Sequence, residues 1–163
     1  MAKMKPAIGL SDKSRAGVAA ILNSVLADEY VLYTKTRNFH WNVVGPQFSE
    51  LHKFFESQYE AIDETIDEVA ERIRALGEPS PGSLAEFLKL SRLKETPALA
   101  KKTSPEKMIE TLLNDHEALI STLREDLETA ASKYKDAGTQ DFLTGIMEEH
   151  EKMAWMLRSY LEN

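Results

Sequence analysis

The chain has 163 residues, 42% of them hydrophobic, which is the length of one domain with enough apolar surface for a sizeable core. It contains no cysteine, so disulfides, thiolate metal sites and thiol nucleophiles are excluded. The formal net charge of -7 argues against tight non-specific binding to nucleic acid. Such acidity either attracts cations or serves solubility alone.

Residues 1–10 are predicted to form a flexible N-terminal tail, followed by one domain over residues 11–163. Lys3 and Lys5 lie in the tail, but it has no apolar run long enough for a signal peptide, and no later segment approaches the length of a membrane span. We therefore expect a soluble, cytoplasmic protein with no membrane partner.

Two long helices are predicted in the first half of the domain. From Ser11 onward, apolar residues recur every three or four positions, which is typical of one buried helix face, and this helix is expected to end near Asn38. Gly45-Pro46 then breaks the chain. A second helix with the same pattern is expected from Pro46 until Gly77.

A short helix over residues 84–90 follows, and then a linker through Pro97. This stretch of about 25 residues is too long for a hairpin and predicts a crossover connection. A third long helix is expected to begin at the capping pair Thr103 and Glu106, and a fourth at the N-cap Thr139. Four long helices with one long central crossover predict an all-α, ferritin-like four-helix bundle with a short extra helix in the crossover.

One face of the second predicted helix carries a stripe of metal-binding side chains. At about 100° per residue, they fall within an arc of about 100°. The stripe consists of His52, Glu56, Glu60, Asp63, Asp67 and Glu71. Most runs of charge are solvated helix faces, and the stripe taken alone has that simpler explanation.

The spacing within the stripe favours a metal site. His52 and Glu56 are four residues apart, as are Asp67 and Glu71, so each couple can share a cation. At about 1.5 Å per residue, His52 and Asp67 are about 22 Å apart, so one helix cannot bring both couples to one metal. The pairings 52 with 71 and 56 with 67 share a centre between residues 61 and 62. Two such helices packed antiparallel about a two-fold axis at that point would form two identical sites.

Nitrogen and oxygen donors without thiolate suit iron(II), with zinc or manganese able to compete. Carboxylates stabilise iron(III) more than iron(II), and open coordination positions leave room for peroxide or dioxygen. One or two irons are expected at each interface site. A further histidine, His40, lies between the expected end of the first helix and the turn at Gly45. A lone histidine at such a place is more often a cap or a packed ring than a ligand.

The chain resembles the Dps family, the DNA-binding proteins from starved cells. The resemblance rests on residues 35–45 (KTRNFHWNVVG), on Phe48, Leu51, His52, Phe55, Tyr59, Asp63 and Asp67, and on residues 71–77 (ERIRALG). The second half matches by its helix pattern, including Trp155. The specific part is the His-Trp-Asn-Val step, the histidine twelve residues later and the Asp-x-x-x-Glu couple fifteen residues beyond that.

This resemblance implies a ferroxidase. The family pattern assigns the metal to His40, Asp67 and Glu71, with His52 and Glu56 contributed across the interface and Trp41 close by. Family members oxidise iron(II), preferentially with hydrogen peroxide, and store the ferric oxide in a hollow shell of twelve subunits assembled from two-fold dimers. This chemistry protects the cell from oxidative damage.

In the family, acidic residues at the start of the last helix line three-fold pores through which iron enters, and Asp136 and Asp141 are the candidates here. The alternative for Asp141 is that its charge only favours the helix N-terminus. Many relatives bind DNA through a longer lysine-rich tail. The tail here offers only Lys3 and Lys5, so we predict weak or absent DNA binding at physiological salt.

Two alternatives stay open. The first is a DNA-compacting nucleoid protein in which iron oxidation is secondary. The second is a di-iron centre inside one bundle, where His116 and His150 fall on apolar stripes. That class requires Glu-x-x-His, and neither histidine has a glutamate three residues before it, so buried core histidines are the favoured interpretation. Met147, Met153 and Met156 are expected to pack the last helix rather than hold a cofactor.

Overall fold

The computed structural model of the chain describes residues 5–95 and 103–162. Within these ranges it contains five helices and no strand. The helices are α1 (Asp12–Asn42), α2 (Phe48–Ala75), α3 (Leu84–Leu90), α4 (Pro105–Ser132) and α5 (Ala137–Ser159). The predicted all-α bundle, with a short helix in the central crossover, is confirmed. Lys3 and Pro97, which figured in the expectations for the tail and the linker, lie outside the described residues.

The C-terminal end of α1 extends further than predicted. The helix continues past Asn38 to Asn42. The next glycine that could end the helix, Gly45, comes later in the chain. Phe39 is buried in the core, and its packing stabilises the additional helical turn. His40 consequently lies in the last turn of α1 rather than in a loop.

The end of α2 agrees with the prediction. Gly77 has φ +87°, a conformation that favours glycine, and the N–H of Glu78 donates to the carbonyl oxygen of Ile73 at 3.3 Å. Pro6 packs over this turn so closely that a Cβ at position 77 would lie 2.7 Å from its ring. Arg15 Nη1 donates to the carbonyl oxygen of Pro6 at 2.8 Å, which holds this part of the N-terminal segment against the bundle.

A buried carboxylate anchors the crossover to α1. Asp28 is fully buried and accepts hydrogen bonds from the N–H groups of Arg92 (2.5 Å) and Leu93 (3.2 Å) and from the hydroxyl of Ser91 (2.9 Å). The guanidinium of Arg92 pairs with Asp28 at 2.7 Å and with Asp126 of α4 at 2.7 Å. The segment after α3 is therefore tied to two long helices at once.

The N-caps of α4 and α5 differ from the predicted ones. Ser104, not Thr103, caps α4, because Pro105 occupies the first helical position and the residue before a proline is held extended. Asp136, not Thr139, caps α5, since its carboxylate accepts the N–H of Thr139 at 3.0 Å. Thr139 contributes its hydroxyl, which donates to the same carboxylate at 2.6 Å.

The four long helices pack as two hairpins, α1 with α2 and α4 with α5, and α1 also contacts α3 and α4. His116 and His150 are buried between the hairpins, which confirms the prediction for them. Of the three methionines expected to pack α5, Met147 and Met153 are buried, whereas Met156 is 37% exposed.

Candidate metal centre

His40 and His52 lie together in one chain. The last turn of α1 and the beginning of α2 bring their rings into a stack with centroids 3.8 Å apart. Nδ1 of His40 lies 2.7 Å from the backbone oxygen of His52, and Nδ1 of His52 lies 2.9 Å from the backbone oxygen of His40. Each histidine is thus held by the main chain of the other.

These reciprocal hydrogen bonds decide which ring nitrogen is free. A carbonyl oxygen only accepts, so Nδ1 of each ring must carry the hydrogen and donate it. In a neutral imidazole the lone pair then resides on Nε2. Metal-binding histidines are oriented in this way, by a hydrogen bond at the nitrogen that does not bind the metal. His40 and His52 therefore present two Nε2 atoms suited to a cation.

Glu56 lies one turn further along α2 and is linked to the histidines through Tyr59. Its Oε1 is 3.5 Å from the hydroxyl of Tyr59, and the ring of Tyr59 meets that of His40 edge-on at 5.2 Å. Burial, followed by the negative charges of Glu56 and Glu60, raises the pKa of the Tyr59 hydroxyl. Tyr59 therefore stays protonated at neutral pH and can donate to Glu56.

A cation and three aromatic rings surround this group. The guanidinium of Arg37 lies 5.6 Å from the ring of Tyr33, 5.3 Å from that of Trp41 and 5.4 Å from that of Tyr59. Trp41, the residue after His40, is 65% exposed. The motif did not single out Arg37 as part of the site. The signal in the sequence was its spacing of four residues from both Tyr33 and Trp41, which places all three on one helix face.

Asp67 and Glu71 are exposed on α2, about 22 Å and about 28 Å along the helix from His52. The expected grouping of His40 with Asp67 and Glu71 does not agree with this geometry, because the ring of His40 stacks on that of His52 at the other end of α2. Over the described ranges, no three histidine, aspartate or glutamate side chains of one chain form a group that could hold a metal ion.

The two candidate pore residues have different surroundings. Asp136 is buried, caps α5 and lies 3.4 Å from a guanidinium nitrogen of Arg72. Asp141 is exposed one turn later and lines a groove together with Glu68 and Glu149. Only Asp141 offers a carboxylate to solvent.

Comparison with known proteins agrees with this fold. A family model described as a ferritin-like domain matches residues 19–163. The DNA protection during starvation protein 2 of Bacillus anthracis is 42% identical over 88% of this chain and 96% of its own length. The chain belongs to the ferritin-like family and, within it, to the Dps proteins.

Solved structures of Dps proteins are similar to this chain as well. One is the Vibrio cholerae Dps, described as a member of a broad superfamily of ferritin-like diiron-carboxylate proteins. It has a TM-score of 0.89 and 33% identity, with 99% of each chain covered. The Dps of Bacillus brevis gives a TM-score of 0.86 and 35% identity over 94% of this chain and all of the other.

A low temperature-induced protein of Nostoc is 49% identical over 95% of this chain and 86% of its own length. Membership of the Dps family supports a general role in iron storage and protection, iron binding and self-association into an oligomer. None of the described helices is long and apolar enough to cross a membrane.

Proposed function

We propose that two copies of this chain share each iron site, oxidise iron(II) there and store the ferric product. The observation that carries the proposal is the pair of Nε2 atoms of His40 and His52, fixed by reciprocal hydrogen bonds. Iron is the substrate and the cargo. Two imidazoles and three carboxylates fit it by donor chemistry.

The ligand set is completed by a second copy. In antiparallel contact of two α2 helices centred between residues 61 and 62, His52 of one copy meets position 71 of the other, and Glu56 meets position 67. His40, His52 and Glu56 then come from one chain, and Asp67 and Glu71 from its mate. Tyr59 holds Glu56 and the ring of His40 in place.

The reaction that we propose is ferroxidation. Two iron(II) ions each give one electron to hydrogen peroxide, whose O–O bond breaks to give two waters after uptake of two protons. Because both electrons leave the site together, no hydroxyl radical is released. The carboxylates favour iron(III), and the negative charge around the site draws in iron(II). Dioxygen is a second oxidant to be compared, and zinc and manganese are competing metals.

The storage form that we propose is a hollow shell of twelve chains built from two-fold dimers. Exposed apolar side chains support association, among them Leu84 and Leu88 of α3, 70% and 57% exposed, and Trp155 of α5, 61% exposed. For iron entry we retain Asp141 and Asp136 as the proposed pore residues. The exposure of Asp141 supports it, while Asp136 is occupied as a cap.

We propose that DNA binding is weak or absent, although relatives carry names that refer to DNA protection. Lys5, the cation of the described part of the tail, pairs with Asp12 and so offers less charge to a phosphate. The proposed location is the cytoplasm. Nucleoid compaction as the main function is the alternative, and gel retardation of DNA at physiological salt tests it. A retarded complex at about 0.15 M salt would support that alternative.

The ferroxidase proposal is tested by mixing protein with iron(II) and peroxide and following the protein-bound ferric absorbance. His52→Ala and Asp67→Ala should each abolish it. His116→Asn serves as the control for a centre inside the bundle and should retain it at neutral pH. If only the His116 variant loses activity, the hypothesis of a shared site is wrong and the di-iron centre inside one bundle is supported.

A further inference from the structure

Three titratable side chains outside the proposed iron site form a hydrogen-bonded series through the middle of the bundle, the Glu29–His150–His116 chain. Nε2 of His150 lies 2.8 Å from Oε1 of Glu29, and Nδ1 of His150 lies 2.8 Å from Nδ1 of His116. Their exposed fractions are 0% for Glu29 and His116 and 1% for His150. Because Glu29 is in α1, His116 in α4 and His150 in α5, the chain joins the two helical hairpins.

A metal ion does not fit between the two imidazoles. With metal–nitrogen bonds of about 2.0–2.1 Å and tetrahedral angles, the two nitrogens would have to be about 3.3 Å apart. They are 2.8 Å apart, which is a hydrogen-bond distance. Glu29 lies against the opposite nitrogen of His150, so the three groups stand in a line rather than around one point. The gap between the two Nδ1 atoms therefore holds a hydrogen rather than a metal ion.

Nε2 of His116 and Oε2 of Glu29 are buried and lack a hydrogen bond among the described residues. Burial, and then the neighbouring His150, lowers the pKa of His116 well below its ordinary value of 6.5. A proton added to His116 would create a buried charge without a compensating acceptor at Nε2.

The surrounding charges do not relieve this cost. In α1, Glu29 contacts His150, and Lys35 pairs with Asp115, the residue before His116. α5 presents His150, and the buried side chains of α2, which is described in full, are all uncharged. Burial raises the pKa of Asp115, so its titration removes stability as pH rises and adds nothing to a loss in acid.

We propose that the Glu29–His150–His116 chain is an acid-sensitive latch between the α1–α2 and α4–α5 hairpins. Once the hairpins separate, His116 reaches water and takes up a proton with its ordinary affinity. The closed bundle disfavours that proton, so the stability that the latch provides is present above pH 6.5 and lost as pH falls below it. This inference is independent of the iron chemistry proposed above.

The test is urea unfolding at pH 7.5 and 5.5, at one protein concentration, for the wild type and His116→Asn. Asparagine keeps a polar group near the Nδ1 position but does not titrate. For one proton taken up on opening, His116 raises the unfolding constant about tenfold between these pH values. The ratio of unfolding constants should therefore be about tenfold smaller in His116→Asn. The exposed neighbour variant Glu117→Gln should keep the wild-type ratio.

Hydrogen exchange of the wild type gives a second readout should His116→Asn fail to fold. The protection factors are corrected for the intrinsic exchange rate. When the pH is lowered from 7.5 to 5.5, protection should fall first on the faces of α4 and α5 that pack against the α1–α2 hairpin, and only later within that hairpin. Equal ratios of unfolding constants in wild type and variant, or a uniform response of all four helices, would overturn the latch.

Discussion

The imidazoles of His40 and His52 hold each other through the main chain: each Nδ1 lies within 2.9 Å of the backbone oxygen of the other residue. The last turn of α1 and the beginning of α2 are therefore locked together at the place where the proposed iron site needs rigidity. The same contacts leave both Nε2 atoms free. The structural role and the proposed metal-binding role thus use different nitrogens and can be separated by mutation.

His52→Asn should separate them. The amide of asparagine can replace Nδ1–H as the donor to His40 but supplies no equivalent of Nε2. We expect a free energy of unfolding within about 1 kcal/mol of the wild type. Iron(II) affinity should fall by more than about 100-fold, since loss of an outer hydrogen bond alone costs 10- to 100-fold. Urea unfolding and anaerobic calorimetry measure the two effects, and unchanged iron affinity would contradict the assignment of His52.

Gly77→Ala should destabilise the bundle by about 1–2 kcal/mol, because the position has φ +87° and an added Cβ would press on Pro6. Gly145→Ala is the matched control. It lies inside α5 with open space around it, so alanine should stabilise by about 0.5–1 kcal/mol through helix propensity. Urea unfolding at one protein concentration compares them. A Gly77→Ala variant as stable as the wild type or more stable would show that this turn does not require glycine.

Asp28→Asn should lower the free energy of unfolding by about 3–5 kcal/mol. The change leaves the half-buried Arg92 without its main partner, and it replaces one acceptor oxygen by an amide nitrogen that faces a donor. The measurement is again the free energy of unfolding. Asp126→Asn removes the outer partner of the same guanidinium and should cost less, since Asp28 remains. A cost below 1 kcal/mol for Asp28→Asn would show that the crossover is not anchored through this carboxylate.

Asp141→Asn should slow the initial rate of iron uptake several-fold, whereas Asp136→Asn should not. The exposed carboxylate of Asp141 can attract iron(II), while the buried carboxylate of Asp136 serves as a cap that asparagine replaces well. Asp136→Ala should cost about 1 kcal/mol of stability, since the cap is lost. Stopped-flow recording of ferric absorbance measures the initial rates. Slow iron uptake in Asp136→Asn with a wild-type rate in Asp141→Asn would show that Asp136, not Asp141, attracts iron(II).

Much of the fold follows from local sequence signals. The apolar periodicity predicted every long helix, and the short helix over residues 84–90 was predicted at its observed bounds. The caps at Ser104 and Asp136 were missed because several neighbouring polar residues can cap, and the choice depends on which one takes the extended backbone. The end of α1 was missed because burial of Phe39 extends the helix, which local propensity does not reveal.

The sequence did not predict which residues of the candidate site lie together within one chain. A histidine twelve positions from another gives no distance in space, and only the packing of α1 on α2 shows that His40 stacks on His52. Glu29 was missed because it has no partner within its own helix. Its partner, His150, lies 121 residues away in the sequence.

The most direct test of a shared site is complementation between two inactive variants. His52→Ala and Asp67→Ala are denatured, mixed in equal amounts and refolded together. Random pairing makes about half of the dimers mixed, and each mixed dimer has one intact site out of two, so the mixture should recover about a quarter of the wild-type ferroxidase activity. Each variant refolded alone should stay inactive. If the mixture stays as inactive as its parts, the ligands come from one chain and the account is wrong.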